Sequence, residues 1–334
     1  MVSQVKWPFA FVSGSDGAGV GWAVVHSRVV SPDRQEQFAA LRRAGYRFAG
    51  MTSDVTFPAL DGPDHLDYAS VCEAWCHCFR DPEAHLPADV PRALVSDSDF
   101  TDPVTLSPSR RGSAPYDFVY VGASEPWKRK AKNWDLARRC LPRLARAGHR
   151  GLVIGVEPEE TWPGVTFVPW LARPEFLACL GSARFLFAPN EGDASPKVLA
   201  EALCLDVPVL VNRRILGGWK YVNAFTGAFF EDEHDVASGA QRCAGITGSP
   251  RAWFCAHHGP YHAGRRVLGL LRTVDPGISE RSHLSLVREL AAGVRPAGTR
   301  SRRAAAPLPS ESSGSTGATS RRPTSAPPRP GART

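Results

Sequence analysis

Between residues 116 and 230, short apolar runs alternate with segments whose apolar residues recur at helical spacing. This alternation is typical of βαβ units, in which helices connect parallel strands. The runs FLFAP and VPVLV are apolar throughout, as expected for strands covered on both faces. We predict strands over 116–124, 150–155, 164–170, 184–189 and 207–212, and helices over 133–148, 174–183 and 196–205, the first kinked at Pro142. The pattern therefore predicts a doubly wound α/β domain.

The first part of the chain shows a shorter and less regular alternation. We predict strands over 6–14, 46–51 and 92–100, and helices over 32–45 and 67–79. The predicted organisation is a small α/β domain over 1–104, a linker over 105–115, a larger α/β domain with C-terminal helices over 116–294, and a tail over 295–334.

The formal net charge of +7 is located in that tail. Residues 295–334 hold eight arginines and one acid, Glu311, so the preceding residues are formally neutral. The tail is rich in Pro, Ser, Gly and Ala and lacks aromatic residues, which predicts disorder. Its arginines are compatible with weak contact to a polyanion, although a solvated extension without a partner is the simpler interpretation.

No window reaches the length of a membrane span, and the N-terminus makes a poor signal peptide. We therefore expect a cytoplasmic protein without a transmembrane segment. The eight cysteines form no regular framework. The cluster Cys72, Cys76, His77 and Cys78 lacks a second ligand pair nearby, so we expect neither a metal nor another cofactor.

Two further patterns are weak as binding signals. Glycines 14, 17, 19 and 21 match neither the dinucleotide fingerprint nor the Walker loop, and we interpret them as a flexible loop. His257, His258 and His262 have no accompanying acid at a ligand spacing, so we interpret them as surface or packing residues.

The most informative segment is Asp193–Ala202, where a strand, a polar loop and a helix follow one another. Ser195 is expected to cap the helix and Pro196 to occupy its first position. The helix start and Lys197 would attract a phosphate group. Carboxylates accept paired hydrogen bonds from vicinal hydroxyls, so Asp193 and Glu201 suit a nucleotide sugar.

The sequence FLFAPNEGDASPKVLAEALCLDVPVLVN, followed by Thr226–Gly227, resembles the C-terminal domain of retaining GT-B glycosyltransferases of the group 1 type. In that family an acid, seven residues and Glu-Ala precede a Pro-Val strand. The resemblance implies that Asp193 lies near the donor sugar as the catalytic acid and that Glu201 binds the nucleotide ribose. The family usually has Glu at the first position, and Glu191 is a competing candidate for that role.

A second, partial match is VGASEPWKRKAKNWDLA, which resembles the family's diphosphate-binding loop. Gly122 fits the strand end, Ala123 replaces the usual Arg, and Lys132–Asn133 replaces Lys-Gly. Lys128, Lys130 and Lys132 are the candidate diphosphate ligands, with a solvated charge run as the alternative interpretation of each.

The resemblance covers Tyr116 to Val236 and implies a GT-B-like fold of two Rossmann-like domains. It further implies metal-independent transfer of a hexose or related sugar, with retention, from a nucleotide-sugar donor to a glycan, lipid or protein acceptor. The first domain matches the family in architecture alone. An epimerase or dehydrogenase is disfavoured because no G-x-G-x-x-G follows a first strand. A catalytically degenerate scaffold, whose basic tail contacts nucleic acid or membrane, remains the alternative.

Overall fold

The computed structural model describes residues 9–12, 21–52, 57–58, 66–108, 115–123 and 125–278. Its described residues form two β-sheets with helices packed against them. The predicted tail over 295–334 and Gly14, Gly17 and Gly19 lie outside the described residues. Among the described helices, none combines the length and apolar character that a membrane span requires.

The first sheet has five strands in sequential order. These are β1 Phe9–Val12, β2 Trp22–Val25, β3 Arg47–Met51, β4 Cys72–His77 and β5 Arg92–Leu94. β1 pairs antiparallel with β2, and the other pairs are parallel. Helix α1, Pro32–Arg43, connects β2 to β3 and confirms the helix predicted over 32–45. Strand β2 was not predicted.

The helix predicted over 67–79 is wrong. Only α2, Tyr68–Val71, is helical, and the chain then enters β4. β4 lies between β3 and β5, and Trp75 is fully buried beside Gly50, where a Cβ would overlap the indole ring. Burial between two strands outweighs the helix propensity of this segment, and aromatic residues and cysteine fit a pleated buried surface.

The strand predicted over 92–100 ends early, at Leu94. A 3₁₀ turn, Asp97–Phe100, follows it, because the Asp99 carboxylate accepts a hydrogen bond from the Ser96 backbone N–H at 2.7 Å. Side chains that bond to nearby backbone groups compete with strand pairing in this way. The turn places a run of buried polar residues directly after the sheet.

The second sheet has six parallel strands in the order β11, β10, β9, β6, β7, β8. Their bounds are β6 Phe118–Val121, β7 Gly151–Ile154, β8 Val165–Val168, β9 Phe185–Ala188, β10 Val209–Asn212 and β11 Gly227–Phe230. The five strands predicted in this part of the chain are confirmed, and β11 is an additional edge strand. The order reverses direction at β6, as in a doubly wound sheet.

Helices cover the second sheet. They are α3 Pro126–Ala131, α4 Trp134–Arg146, α5 Arg173–Ser182, α6 Lys197–Cys204 and α7 Val236–Ala244. The predicted helices α4, α5 and α6 are confirmed, and α4 continues through Pro142. One core cluster joins α5 and α6 to the sheet, and another joins α4 and α7 to it.

The last two described helices contact different parts of the fold. Phe254 of α8, Pro250–His257, packs in the core that contains α6. Helix α9, Pro260–Val274, buries Val267 and Leu271 with Trp22 and Met51 of the first sheet. The chain therefore returns to the first sheet at its end, and the domain bounds drawn from the sequence stay a prediction.

Candidate functional site

The loop between β9 and α6 carries the acids expected at the site. Two backbone hydrogen bonds from residues 216 and 217 hold this loop. Leu216 N–H donates to Glu191 O at 2.7 Å, and Gly217 N–H donates to Asp193 O at 2.9 Å. A Cβ at Gly217 would overlap the carbonyl oxygen of Ala194. The Gly217–Gly218 turn therefore fixes the shape of the acidic loop through close backbone approach.

Asp193 is paired with a cation from the opposite loop. Its Oδ2 accepts a hydrogen bond from Lys132 Nζ and another from Asn190 Nδ2, each at 3.0 Å. The Lys132 and Asp193 side chains are 26% and 19% exposed, so the pair is accessible but shielded from bulk water. The two residues that the sequence placed in separate motifs meet in one ion pair.

Asn133, which stands where the resembling family has Gly, has φ of 50°, in the left-handed region. Asn is one of the few residues besides Gly that tolerates this conformation. Its Nδ2 donates to Glu191 Oε1 and to Pro189 O, each at 3.1 Å, and its Oδ1 accepts from Leu136 N–H at the start of α4. Asn133 thus joins the cationic loop to the acidic loop, and Glu191 is engaged with it.

Glu201 has a partner that sequence reasoning missed. Arg173 Nη2, at the start of α5, lies 2.7 Å from Glu201 Oε1, and the Glu201 side chain is largely buried. The sequence does show that Arg173 stands at the start of a predicted helix. Its spacing from Glu201 alone does not indicate that the two side chains meet. Asp193 and Glu201 therefore face separate cations.

The remaining basic candidates are less engaged. Lys128 Nζ forms an exposed ion pair with Glu125 at 2.6 Å, and Lys130 is exposed. Among the described residues of 128–132, Lys132 is the one that pairs with the acidic loop. Gly122 is buried at the end of β6, where a Cβ would overlap Val156.

Ser195 does not cap α6, so that expectation is wrong. The helix begins at Lys197 with Pro196 as its N-cap and without a side-chain cap. Ser195 Oγ instead accepts a hydrogen bond from Ser98 N–H at 2.8 Å and donates to Ser98 Oγ at 3.2 Å. This contact joins the acidic loop to the 3₁₀ turn that follows the first sheet, since Ser98 lies in that turn.

A buried polar network extends from this contact. Asp99 Oδ1 accepts hydrogen bonds from the Tyr221 hydroxyl and from His258 Nδ1, both at 2.8 Å, and Asp99 Oδ2 is paired with Lys220. The Tyr221 hydroxyl also lies 2.8 Å from Ser98 Oγ. His258 is therefore a buried network residue, consistent with the packing interpretation.

The charges in this network shift one another's ionisation. Burial raises the pKa of the Asp99 carboxyl, but Lys220 and the hydrogen bond from His258 outweigh burial and hold that pKa below its usual range. Burial raises the pKa of Tyr221 well above its usual value, and the Asp99 charge adds to this. Asp99 is thus a fixed negative charge in the fold.

The cysteine cluster does not converge on one point. Cys72 and Cys78 lie in one core cluster and Cys76 in another, on β4 and just after it. Burial raises the pKa of the Cys76 thiol to about 12. Within the residues that the structure describes, no group of three or more His, Cys, Asp or Glu side chains is arranged to hold a metal ion.

Comparisons with known proteins place the fold. Neither the family models nor the curated proteins include a match to the chain. Among solved structures, it is similar to the lipopolysaccharide outer core galactosyltransferase WaaB (TM-score 0.55, 12% identity, 75% of each chain covered).

It is also similar to sucrose-phosphate synthase from Thermosynechococcus elongatus (TM-score 0.53, 13% identity, covering 75% of this chain and 73% of that one). A third similar structure is Anabaena Alr3699/HepE in complex with UDP and glucose (TM-score 0.53, 12% identity, 75% and 78% covered). The predicted fold class is confirmed: the chain has an α/β, GT-B-like fold.

Proposed function

We propose that this protein is a glycosyltransferase that transfers a hexose or related sugar from a nucleoside-diphosphate donor to an acceptor hydroxyl, with retention and without a metal. The observation that carries the proposal is the ion pair between Lys132 and Asp193 at the carboxyl edge of the second sheet. Ligands of open α/β sheets bind outside the carboxyl ends of the strands, near the point where strand order reverses. Lys132 follows β6, the strand at which the order reverses.

Lys132 suits the role of diphosphate ligand because its ammonium group can exchange one anion for another. Its partner in the structure is the Asp193 carboxylate. A diphosphate carries more charge and more acceptor oxygens than a carboxylate, so it would compete effectively for the same cation. Release from Lys132 would leave Asp193 beside the donor sugar, the role that we propose for it.

Glu201 and Arg173 support a nucleoside site at the same edge. Their ion pair is 2.7 Å long and joins the start of α5 to the middle of α6, the two helices that flank β9. A carboxylate oriented by Arg retains further acceptor positions for two vicinal hydroxyls. We propose that Glu201 accepts hydrogen bonds from the ribose while Arg173 fixes its orientation.

Catalysis at this site would be electrostatic and positional. Negative charge develops on the leaving diphosphate as the anomeric bond breaks, and fixed cations stabilise it. Lys132, Lys197 and the backbone N–H groups at the start of α6 supply positive charge at one end of the site. HepE was solved with UDP and glucose, which supports a nucleotide-sugar donor here.

The test is a thermal-shift screen of the full chain against UDP, GDP, ADP and their glucose or mannose conjugates. A ligand that binds the native state raises the melting temperature. At a ligand concentration of one hundred times Kd, binding adds about 2.7 kcal/mol to the free energy of unfolding. A higher melting temperature with at least one nucleotide sugar, together with transfer of the sugar from that donor to an acceptor, supports the proposal. Binding without turnover supports the degenerate scaffold, and no shift with any of them contradicts the donor site.

A further inference from the structure

Two arginines from different sheets meet over one aromatic ring. Arg80 follows β4 of the first sheet, and Arg213 follows β10 of the second. The guanidinium carbon of each lies 5.5 Å from the centroid of the Phe229 ring. The guanidinium carbon of Arg80 also lies 4.9 Å from the centroid of the Trp219 ring. Two cations are therefore held close together where the carboxyl edges of the two sheets meet.

This arginine pair has free capacity to bind an anion. Within the residues that the structure describes, Arg80 pairs with no carboxylate, and the one hydrogen bond of its side chain goes from Nη2 to the backbone oxygen of Arg213, at 3.0 Å. A guanidinium group has five N–H donors, so most of those of Arg80 stay available. Arg213 Nε lies 3.1 Å from Glu231 Oε1, but the two side chains are 57% and 59% exposed. An ion pair this exposed contributes little, so an incoming anion can replace Glu231.

The two charges repel each other. Partial burial lowers the pKa of Arg80 below its usual value, and the charge of Arg213 lowers it further. Arginine nevertheless stays protonated in proteins, so both charges persist at neutral pH. Adjacent like charges cost free energy, and an anion bound between them converts the repulsion into attraction. The electrostatics therefore agree with the geometry in favouring an anionic ligand.

The arginine pair lies beside the acidic loop of the donor site. Trp219 directly follows the Gly217–Gly218 turn, whose first residue bonds to Asp193 O. Trp219 Nε1 donates to Cys78 O, just after β4, at 2.9 Å. The ring that supports Arg80 is thus fixed to both sheets. The pair is separate from Lys132, which contacts the acidic loop from the other side of β9.

Space for a ligand is open beside Arg213. This residue lines an open cavity of about 680 Å³ at the edge strand β11, together with Phe229 and Arg242. Among the described residues that line the cavity, two are arginines and none is acidic. A cavity lined by one sign of charge attracts ligands of the opposite sign, which here means anions.

We propose that Arg80 and Arg213 bind an anionic group of the acceptor, either a phosphate or a carboxylate. The proposal rests on the proposed function and deepens it by naming the class of acceptor. Guanidinium groups match both anions, because two parallel N–H donors meet two oxygens. The donor diphosphate is assigned to Lys132, so a second cationic site between the sheets serves the other substrate. An acceptor bound there is held beside the loop that carries Asp193.

The first test titrates the full chain with inorganic phosphate, and separately with acetate, at constant ionic strength, with the melting temperature as the readout. The Lys132→Gln background is used so that phosphate bound at the donor site contributes less. We expect Arg80→Met, which keeps a long side chain over Trp219, to weaken anion binding by about tenfold or more, and Arg213→Met to do the same. The control Arg146→Met removes an exposed charge near the other edge of the sheet and leaves binding within about twofold. Tighter binding of phosphate than of acetate assigns a phosphate, and the reverse order assigns a carboxylate.

Glu231→Gln is the second test, because loss of a merely structural contact does not strengthen ligand binding. The substitution removes the carboxylate that competes for Arg213. We expect the phosphate Kd to fall by about two- to fivefold, the range set by an exposed ion pair.

Calorimetry with the nucleotide that binds the wild type separates the two sites. We expect Arg80→Met to keep the nucleotide Kd within about threefold. Anion binding that is unchanged in both arginine variants overturns the proposal and leaves the proposed function intact. A loss of nucleotide binding in Arg80→Met as large as in Lys132→Gln places Arg80 in the donor site and also overturns it. A wild-type chain that binds no nucleotide contradicts the proposed function, and the assignment of the arginine pair to an acceptor then fails with it.

Discussion

Lys132 Nζ and Asp193 Oδ2 lie 3.0 Å apart although the two residues are separated by 61 positions. The contact spans the carboxyl edge of the second sheet, from the loop after α3 to the loop after β9. It brings a mobile cation and a carboxylate together where a diphosphate is expected to bind. Substitution of Lys132 therefore tests whether this cation contacts the donor specifically or contributes only to the local surface charge.

Lys132→Gln is expected to weaken UDP binding by roughly 10- to 100-fold, because a charge-assisted hydrogen bond contributes about 1.5–3 kcal/mol. Calorimetry with UDP measures the change. Lys130→Gln removes an exposed charge from the same segment and is expected to alter Kd by less than about threefold. Equal losses in the two variants would show that only the local potential matters and that Lys132 makes no specific contact.

Asn133 tests the link between the two loops. Asn133→Ala removes the hydrogen bonds to Glu191 and Pro189. It also places alanine, whose side chain makes no hydrogen bond, in the left-handed conformation at φ of 50°. We expect a loss of about 2 kcal/mol or more in the free energy of unfolding measured with urea. Asn133→Gly loses the same bonds but fits the backbone, so it is expected to be the more stable of the two. The opposite order would contradict a conformational role for this position.

The Asp99 network is expected to respond unequally to two substitutions. Lys220→Met leaves the buried Asp99 carboxylate without its cation, which typically costs about 3–5 kcal/mol. Tyr221→Phe removes one neutral donor and keeps the ring in place, at a cost of about 1–2 kcal/mol. Urea unfolding at pH 7 measures both, and a larger loss for Tyr221→Phe would mean that the ion pair is not the dominant contact.

His77 predicts part of the pH dependence of stability. Its native pKa of about 4 lies below the unfolded value of 6.5, so between these values the unfolded chain binds more protons and stability decreases as pH falls. The variant His77→Phe cannot titrate at this position. Between pH 7 and 4.5, we therefore expect its free energy of unfolding to fall by roughly 2 kcal/mol less than that of the wild type. The exposed His234 serves as the control, since His234→Gln is expected to keep the wild-type slope.

The sequence was sufficient for five of the six strands of the second sheet, β6 to β10, because they are short apolar runs separated by helical segments, whereas the edge strand β11 was missed. It failed at β4, where pairing with β3 and β5 overrides the helix propensity of residues 72–77. Asp193 and Lys132 were identified as site residues because the local segments that contain them resemble motifs of a known family. The partners of the buried network were not found, because Asp99 bonds to Tyr221 and His258 over 122 and 159 positions, and local patterns carry no signal for such distances.

Gly217 gives a prediction about the backbone of the donor loop. A Cβ at this position would overlap the Ala194 carbonyl, and backbone cannot move aside as a flexible side chain can. Gly217→Ala is therefore expected to displace the 191–195 loop, to lower stability by about 1–3 kcal/mol and to weaken UDP binding at least tenfold in calorimetry. Gly269→Ala is the matched control, because nothing lies within 4 Å of a Cβ at that helical position. It is expected to stabilise the chain by about 0.5–1 kcal/mol, with UDP affinity unchanged. If Gly217→Ala bound UDP as tightly as the control, the Gly217–Ala194 contact would have no part in shaping the donor site.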